Sequence, residues 1–298
     1  MIRVAVVGYG NIGTYAVRAI QAAPDLTLAG VVRRKVGDTV PSELAGISVV
    51  SDITELGEVD VALLCAPTRS VPAMARELVA QNINTVDSFD LHGDALVEYR
   101  AELGEEARKH RAVSVIAAGW DPGSDSLIRA LMEVLAPSGL TFTNFGPGMS
   151  MGHSVAVKAL PGVEDALSMT IPSGSGVHRR LVYVELAPGA DFGTIEDLVR
   201  EDAYFRHDET HVYQVESIAP LKDVGHGVRI ERSGTSGHTA NQNFKWEMRI
   251  NNPALTAQVM VAAARASTKQ KPGSYTPLEI PLVDYFSGDC DELIRRLV

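Results

Sequence analysis

Residues Ile2–Val7 form an almost continuous apolar, β-branched run, the pattern of a parallel strand buried on both faces. A glycine turn follows. Thr14–Ala22 then keeps its apolar residues to one side, as an amphipathic helix does, and Leu26–Val32 reads as a second strand at βαβ distance. Further strands are predicted at Val59–Cys65 and Asn84–Val86, each after a helix-like stretch, so the alternation continues to about residue 118. Beyond a helix predicted over Ser124–Leu135, the chain turns to glycine-separated strands. The clearest is Phe244–Ile250, where Phe244, Trp246, Met248 and Ile250 alternate with Lys245, Glu247 and Arg249, predicting one buried and one charged face. Asn252 at an N-cap and Pro253 at the first helical position open a helix running to about Ala266. The last thirty residues are expected to return to the first domain.

The turn Gly8-Tyr9-Gly10-Asn11-Ile12-Gly13 has GxGxxG spacing between a strand and a helix, which is the setting that makes the motif informative. Gly8 permits a tight turn, Gly10 lets backbone approach a pyrophosphate, and Gly13 lets the helix sit close to the strand. The helix N–H groups then face the phosphates. The expected fold is α/β. A Rossmann dinucleotide-binding domain spans 1–118, completed by about 268–298, and an α+β substrate and dimerisation domain with a mostly antiparallel sheet spans 119–267.

Where an NAD-specific site places an acid after the second strand, this chain has Arg33-Arg34-Lys35. Guanidinium groups bind a ribose 2′-phosphate through charge-assisted bonds, so NADP(H) is the expected cofactor. Candidate cofactor contacts are Gly8, Gly10, Asn11, Ile12, Gly13, Arg33 and Arg34, with Cys65, Pro67, Thr68 and Ser88 at later strand ends. Cys65 has no activating His or Lys nearby in sequence and reads first as a small buried apolar residue.

Composition narrows the partners. A net charge of −10 argues against a nucleic-acid surface, so any anionic ligand must be held by local groups. The two cysteines, Cys65 and Cys290, allow no disulfide framework and have no CxxC-like spacing, so no metal is expected and a reducing cytoplasm fits best. The opening Ile-Arg-Val-Ala-Val-Val reads as a strand and not as a leader, and no apolar run approaches membrane-spanning length.

GYGNIG at 8–13, VRRK at 32–35, WDPG at 120–123, FGPGMSMGHS at 145–154 and INNPALTAQ at 250–258 together make the whole chain resemble the meso-diaminopimelate D-dehydrogenase family. The resemblance implies NADP-dependent oxidative deamination at the D-centre of meso-2,6-diaminopimelate, in a homodimer or higher homo-oligomer formed through the inserted sheet. It implies that Asp90 and Asp121 lie near the D-centre amine as catalytic candidates, with Asp121 foremost, and that Trp120 and Phe145 wall the site. Met151 and Gly152 would contribute backbone contacts from a loop rich in glycine. Thr170, Arg180, His226 and Asn252 would hold the distal L-centre. One departure stands out: His178-Arg179-Arg180 follows Thr170 without the longer insertion of some members, which implies a wider range of simple 2-keto acids.

Each of these residues also has a structural role open to it. Asp121 in Asp-Pro-Gly can cap a helix or form a turn, and Asp90 can do the same. Arg180 can form a surface salt bridge, Asn252 can serve as an N-cap alone, and a lone histidine such as His226 is commonly structural. The rival functions are another amino-acid dehydrogenase or reductase of this fold and a non-catalytic NADP sensor. Dihydrodipicolinate reductase fits poorly, because its pattern has adjacent histidines and none occur here.

Overall fold

A computed structural model describes residues 1–33, 41–222 and 225–298, so Arg34 and Lys35 lie outside the described residues. Two compact units form, one from Met1–Ala130 with Pro253–Val298 and one from Leu131–Asn252. In chain order the first contains β1 (Ile2–Val7), α1 (Asn11–Ala22), β2 (Leu26–Val32), β3 (Val49–Val50), β4 (Val61–Leu64), α2 (Val71–Ala80), β5 (Asn84–Asp87), α3 (Gly93–Lys109), β6 (Val113–Val115) and the start of α4 (Ser124–Leu135). The second contains β7 (Ser138–Phe145), β8 (Gly148–Met149), α5 (Met151–Lys158), β9 (Val163–Gly174), β10 (Val177–Leu186), α6 (Phe192–Glu201), β11 (Glu209–Gln214), β12 (Gly225–Ser236) and β13 (Thr239–Asn251). Helix α7 (Asn252–Ser267), β14 (Gly273–Tyr275) and α8 (Cys290–Leu297) follow.

The first unit is a parallel sheet of order β14-β6-β5-β4-β1-β2-β3. Successive strand residues point to opposite faces, and β1 shows the result. Val4 and Val6 pack with Ala16, Val17 and Ile20 of α1 and with Ala257, Met260 and Val261 of α7. Ala5 and Val7 face the other way, among Ala75 and Leu78 of α2 and Leu103 and Ala107 of α3. Helices cover both faces, which is why β1 reads as one apolar run. The buried length of α7 also accounts for where the unit ends: the sequence pattern put a border after residue 267, whereas the compact unit takes in residues from Pro253 onward.

The second unit holds a four-stranded sheet, β11-β10-β9-β8, and a three-stranded one, β13-β12-β7. All its pairings are antiparallel except β10 with β11. Val157 of α5 and Ile195 and Val199 of α6 pack against Ala166, Val182 and Val184 on the four-stranded sheet. The three-stranded sheet is less covered than its alternation predicts. Trp246 is 43% exposed, and Phe244, Met248 and Ile250 are only half-buried. Past the end of α4, the buried Arg232 donates from Nε to the Ala136 carbonyl at 2.7 Å and from Nη2 to Pro137 at 3.0 Å. Among the described residues no helix is long and apolar enough to cross a membrane.

Met260 is fully buried between α7 and the first sheet. Met260→Ala should therefore cost about 2–5 kcal/mol. The check is a lower urea midpoint with unchanged slope; an unmoved midpoint would deny α7 its place in this core.

Candidate active site

The order β6-β5-β4-β1-β2 brings five strand ends into line at the carboxyl edge of the first sheet. At about 4.8 Å per strand the row spans roughly 19 Å, a length that suits an extended dinucleotide. The chain reverses its direction of travel through the sheet between β1 and β4, the switch point at which ligands of such sheets bind. Here Gly8 has φ +99°, and a Cβ on it would lie 2.5 Å from the Cys65 carbonyl oxygen. A Cβ on Gly13 would meet the Gly8 carbonyl oxygen at 2.2 Å. Gly10 differs: its added Cβ would meet nothing within 4 Å, and as N-cap of α1 it provides no side-chain cap. The result is a bare helix start, with Asn11 and Ile12 in its first turn, facing open space.

Those observations fit a dinucleotide pyrophosphate at residues 8–13. Arg33 follows β2, its N–H bonded to Val50 O at 2.9 Å, on the side where a ribose would lie. A cavity of about 140 Å³ at the ends of β1 and β2 is lined by Val7, Val32, Ser51 and Asp52. A larger hollow of about 760 Å³, lined by Asp60, Asn84 and Arg111, lies at the opposite, amino ends of β4 and β5 and contains none of the expected residues. Cys65 is buried, and burial pushes its thiol up to about 12, so it acts as the floor under α1 and not as a nucleophile. Pro67 and Thr68 lie exposed after β4, and Ser88 is half-buried after β5.

Asp90 and Asp121 each have a basic neighbour that the sequence pattern did not single out. Asp90 Oδ1 lies 2.8 Å from His92 Nε2, and this bond, with Asp121 nearby, raises the imidazole pKa. Asp121 pairs with Arg129, one α4 turn and more beyond Pro122. Trp120 is 7% exposed. Its carbonyl accepts from Asp125 N at 2.9 Å and Ser124 Oγ at 3.0 Å, which fixes the turn that carries Asp121.

Two further acids lie beneath this edge. Asp87 is fully buried, and its Oδ1 accepts from Phe89 N at 3.0 Å and Ala117 N at 3.1 Å, tying the β5 and β6 ends together. Asp125 is fully buried, and neither carboxyl oxygen has a hydrogen-bond partner among the described residues. Burial first, then the Asp121 charge, raises Asp125 to about 7. One guanidinium, Arg129, serves two neighbouring carboxyls, and the buried one is the one driven to its neutral form.

In the second unit the registers assemble a separate cluster. Thr170 of β9 lies opposite Gly148 and opposite Arg180 of β10. Arg180 donates to the Thr170 hydroxyl through Nη1 and to Asp208 Oδ2 through Nε at 2.6 Å. Phe145 N donates to His178 Nε2 at 2.8 Å, and the Phe145 ring centre lies 5.5 Å from His178 and 6.5 Å from His226. Burial lowers the His226 pKa to about 4 and moves His178 the same way, with Arg180 adding to both effects. Phe145, Thr170, Arg180 and His226 are thus gathered, and His178 and Asp208 join them unforeseen. Met151 and Gly152 open α5, whose N-cap Ser150 makes no side-chain cap. Asn252 opens α7, directly after Asn251, which pairs with Gly225 beside His226.

The fold and these clusters define a two-unit oxidoreductase with a dinucleotide cradle. Residues 2–86 match the oxidoreductase family with an NAD-binding Rossmann fold, and residues 119–252 match the diaminopimelic acid dehydrogenase C-terminal domain. Over 100% of its length this chain is 59% identical to 99% of a meso-diaminopimelate D-dehydrogenase from Bacteroides fragilis. The solved diaminopimelate (DAP) dehydrogenase of C. glutamicum in complex with DAP is 29% identical with a TM-score of 0.88, over 100% of this chain and 99% of that one. An engineered D-amino acid dehydrogenase bound to NADP+ is 28% identical with a TM-score of 0.86, at the same coverage. The chain belongs to the meso-diaminopimelate D-dehydrogenase family.

The Asp125 geometry has a thermodynamic signature. Its folded pKa of about 7 exceeds the unfolded value of about 3.9, so the stability it contributes is complete below about pH 4 and is lost as pH rises through 7. Asp125→Asn should remove this slope and leave the variant more stable than the parent at pH 8, by up to about 4 kcal/mol. Thermal midpoints at pH 5 and pH 8 decide it; a parent advantage that persists at pH 8 would refute a neutral, buried Asp125.

Proposed function

We propose that this chain catalyses the reversible, NADP-dependent oxidative deamination of the D-centre of meso-2,6-diaminopimelate, yielding L-2-amino-6-oxopimelate, ammonia and NADPH. In reverse it aminates that product, and simpler 2-keto acids, to D-amino acids. The observation that carries the reading is the full-length identity of 59% to a meso-diaminopimelate D-dehydrogenase. The polar clusters support it, because a substrate with two amino-acid head groups needs anions for its amines and cations for its carboxylates.

Bound NADP+ would accept hydride from the D-centre Cα, held by residues 8–13 at the pyrophosphate, with Arg33 and Arg34 assigned to the 2′-phosphate. The residues of this chain manage charge and protons. Asp90 and Asp121 attract the ammonium, and Asp121 takes its proton so that nitrogen can supply the lone pair that drives Cα–H cleavage. Water then adds to the substrate imine, and ammonia leaves. General-base help of this kind contributes about a hundredfold or more. Trp120 and Phe145 exclude solvent, Met151 and Gly152 present backbone groups, and Thr170, Arg180, His226 and Asn252 hold the distal head group. A cytoplasmic homodimer or higher homo-oligomer fits the two unpaired cysteines and the exposed Leu140 and Trp246 of the second unit.

Reduced-nicotinamide formation should appear with the meso isomer and NADP+, and weakly or not at all with the LL isomer or with NAD+. Activity confined to the LL isomer would overturn the D-centre assignment, and preference for NAD+ would overturn the role of the arginines. Asp121→Asn should lower kcat about a hundredfold or more with NADPH binding intact. Turnover close to that of the parent would remove Asp121 from the mechanism.

A further inference from the structure

The Arg180 guanidinium is engaged by groups of its own unit. Arg180 and Asp208 side chains are 12% and 25% exposed, and Nε donates to Oδ2 at 2.6 Å. The sheet makes this pairing: β10 and β11 run parallel with Arg180 opposite Thr210, and Asp208 lies in the bend just before β11, two residues ahead of Thr210. Thr170 holds Nη1 from the opposite flank. The two histidines nearby are driven to their neutral forms, so the cation of this cluster is balanced by Asp208 alone among the groups just named.

A buried cation left without an anion is costly. A site whose arginine depended on the ligand for its counter-charge would therefore reject a ligand lacking a distal carboxylate. We propose that Asp208 sets the substrate range of this enzyme: by supplying the counter-charge of Arg180 from within the chain, it makes the distal carboxylate optional and admits 2-oxo monoacids. Asp208 is a positioning and specificity residue, acting through Arg180. The inference rests on the reading that Arg180 meets the far carboxylate of the substrate.

The test compares 2-oxopimelate with 2-oxoheptanoate in reductive amination with NADPH and ammonia, since the pair differs only in the distal carboxylate. Asp208→Asn keeps an oxygen acceptor for Nε and removes the charge. It should raise the diacid-to-monoacid ratio of kcat/KM about tenfold, equivalent to about 1.4 kcal/mol, mainly through KM. In an Arg180→Met background the same change should move the ratio by less than about twofold. A ratio unchanged or lowered by Asp208→Asn, or raised equally without Arg180, would overturn the proposal. Asp208→Thr repeats the comparison in a second neutral background, and turnover of the monoacid reports that each variant is folded. Wild-type enzyme inactive on meso-diaminopimelate would instead defeat the functional reading itself.

Discussion

Helix α1 crosses the end of β1 so closely that neither Gly8 nor Gly13 could carry a side chain. The Cβ of one would strike the Cys65 carbonyl and that of the other the Gly8 carbonyl. That contact fixes where the helix starts, and the starting turn is left without a side-chain cap. An uncapped helix end keeps its first N–H groups unsatisfied unless water or a ligand accepts from them. Close packing and anion binding are thus one constraint, set by backbone and independent of any charged residue. The remaining strand ends take their places from it, because β4 pairs beside β1 and β5 and β6 follow outward.

Charge is handled locally throughout. Asp121 has Arg129, Asp90 has His92 and Arg180 has Asp208, each within its own unit. Where a second carboxyl enters the same surroundings, as Asp125 does near Asp121, burial drives it toward its neutral form. Asp87 shows a related compromise. Its carboxyl is raised to about 6 by burial even though two backbone N–H groups bond to it, and those bonds hold the loops that lead to Asp90 and Asp121.

Much of this was legible in the chain itself. The continuous apolar run, the glycine spacing and the one-sided apolar pattern after it located β1, α1 and β2, because those signals are local and depend on three-dimensional packing only through which faces are buried. Helix α4 was bounded correctly at Ser124–Leu135 for the same reason. The border at α7 differed because an apolar helix looks the same in sequence whichever core it fills. The partners of the candidate site residues were the hardest to see. His92 and Arg129 lie 2 and 8 residues from the acids they meet. Asp208 lies 28 residues from Arg180, in the bend just before β11, and the parallel pairing of β10 with β11 brings the two together. No spacing rule along a chain encodes a register between distant strands.

On the proposed function, a chain of net charge −10 holds a phosphorylated dinucleotide and a dicarboxylate against its own long-range field. That field is screened within about 8–10 Å at physiological salt, so short-range donors decide binding. The uncapped start of α1 supplies such donors without adding a full charge. Arg180, whose side chain is largely covered, has its anion already beside it. His178 and His226, both shifted toward their neutral forms by burial, leave the net charge of this cluster to one guanidinium and one carboxylate. If, as proposed, Arg180 meets the far carboxylate of the substrate, selectivity depends on how firmly Asp208 competes with that carboxylate.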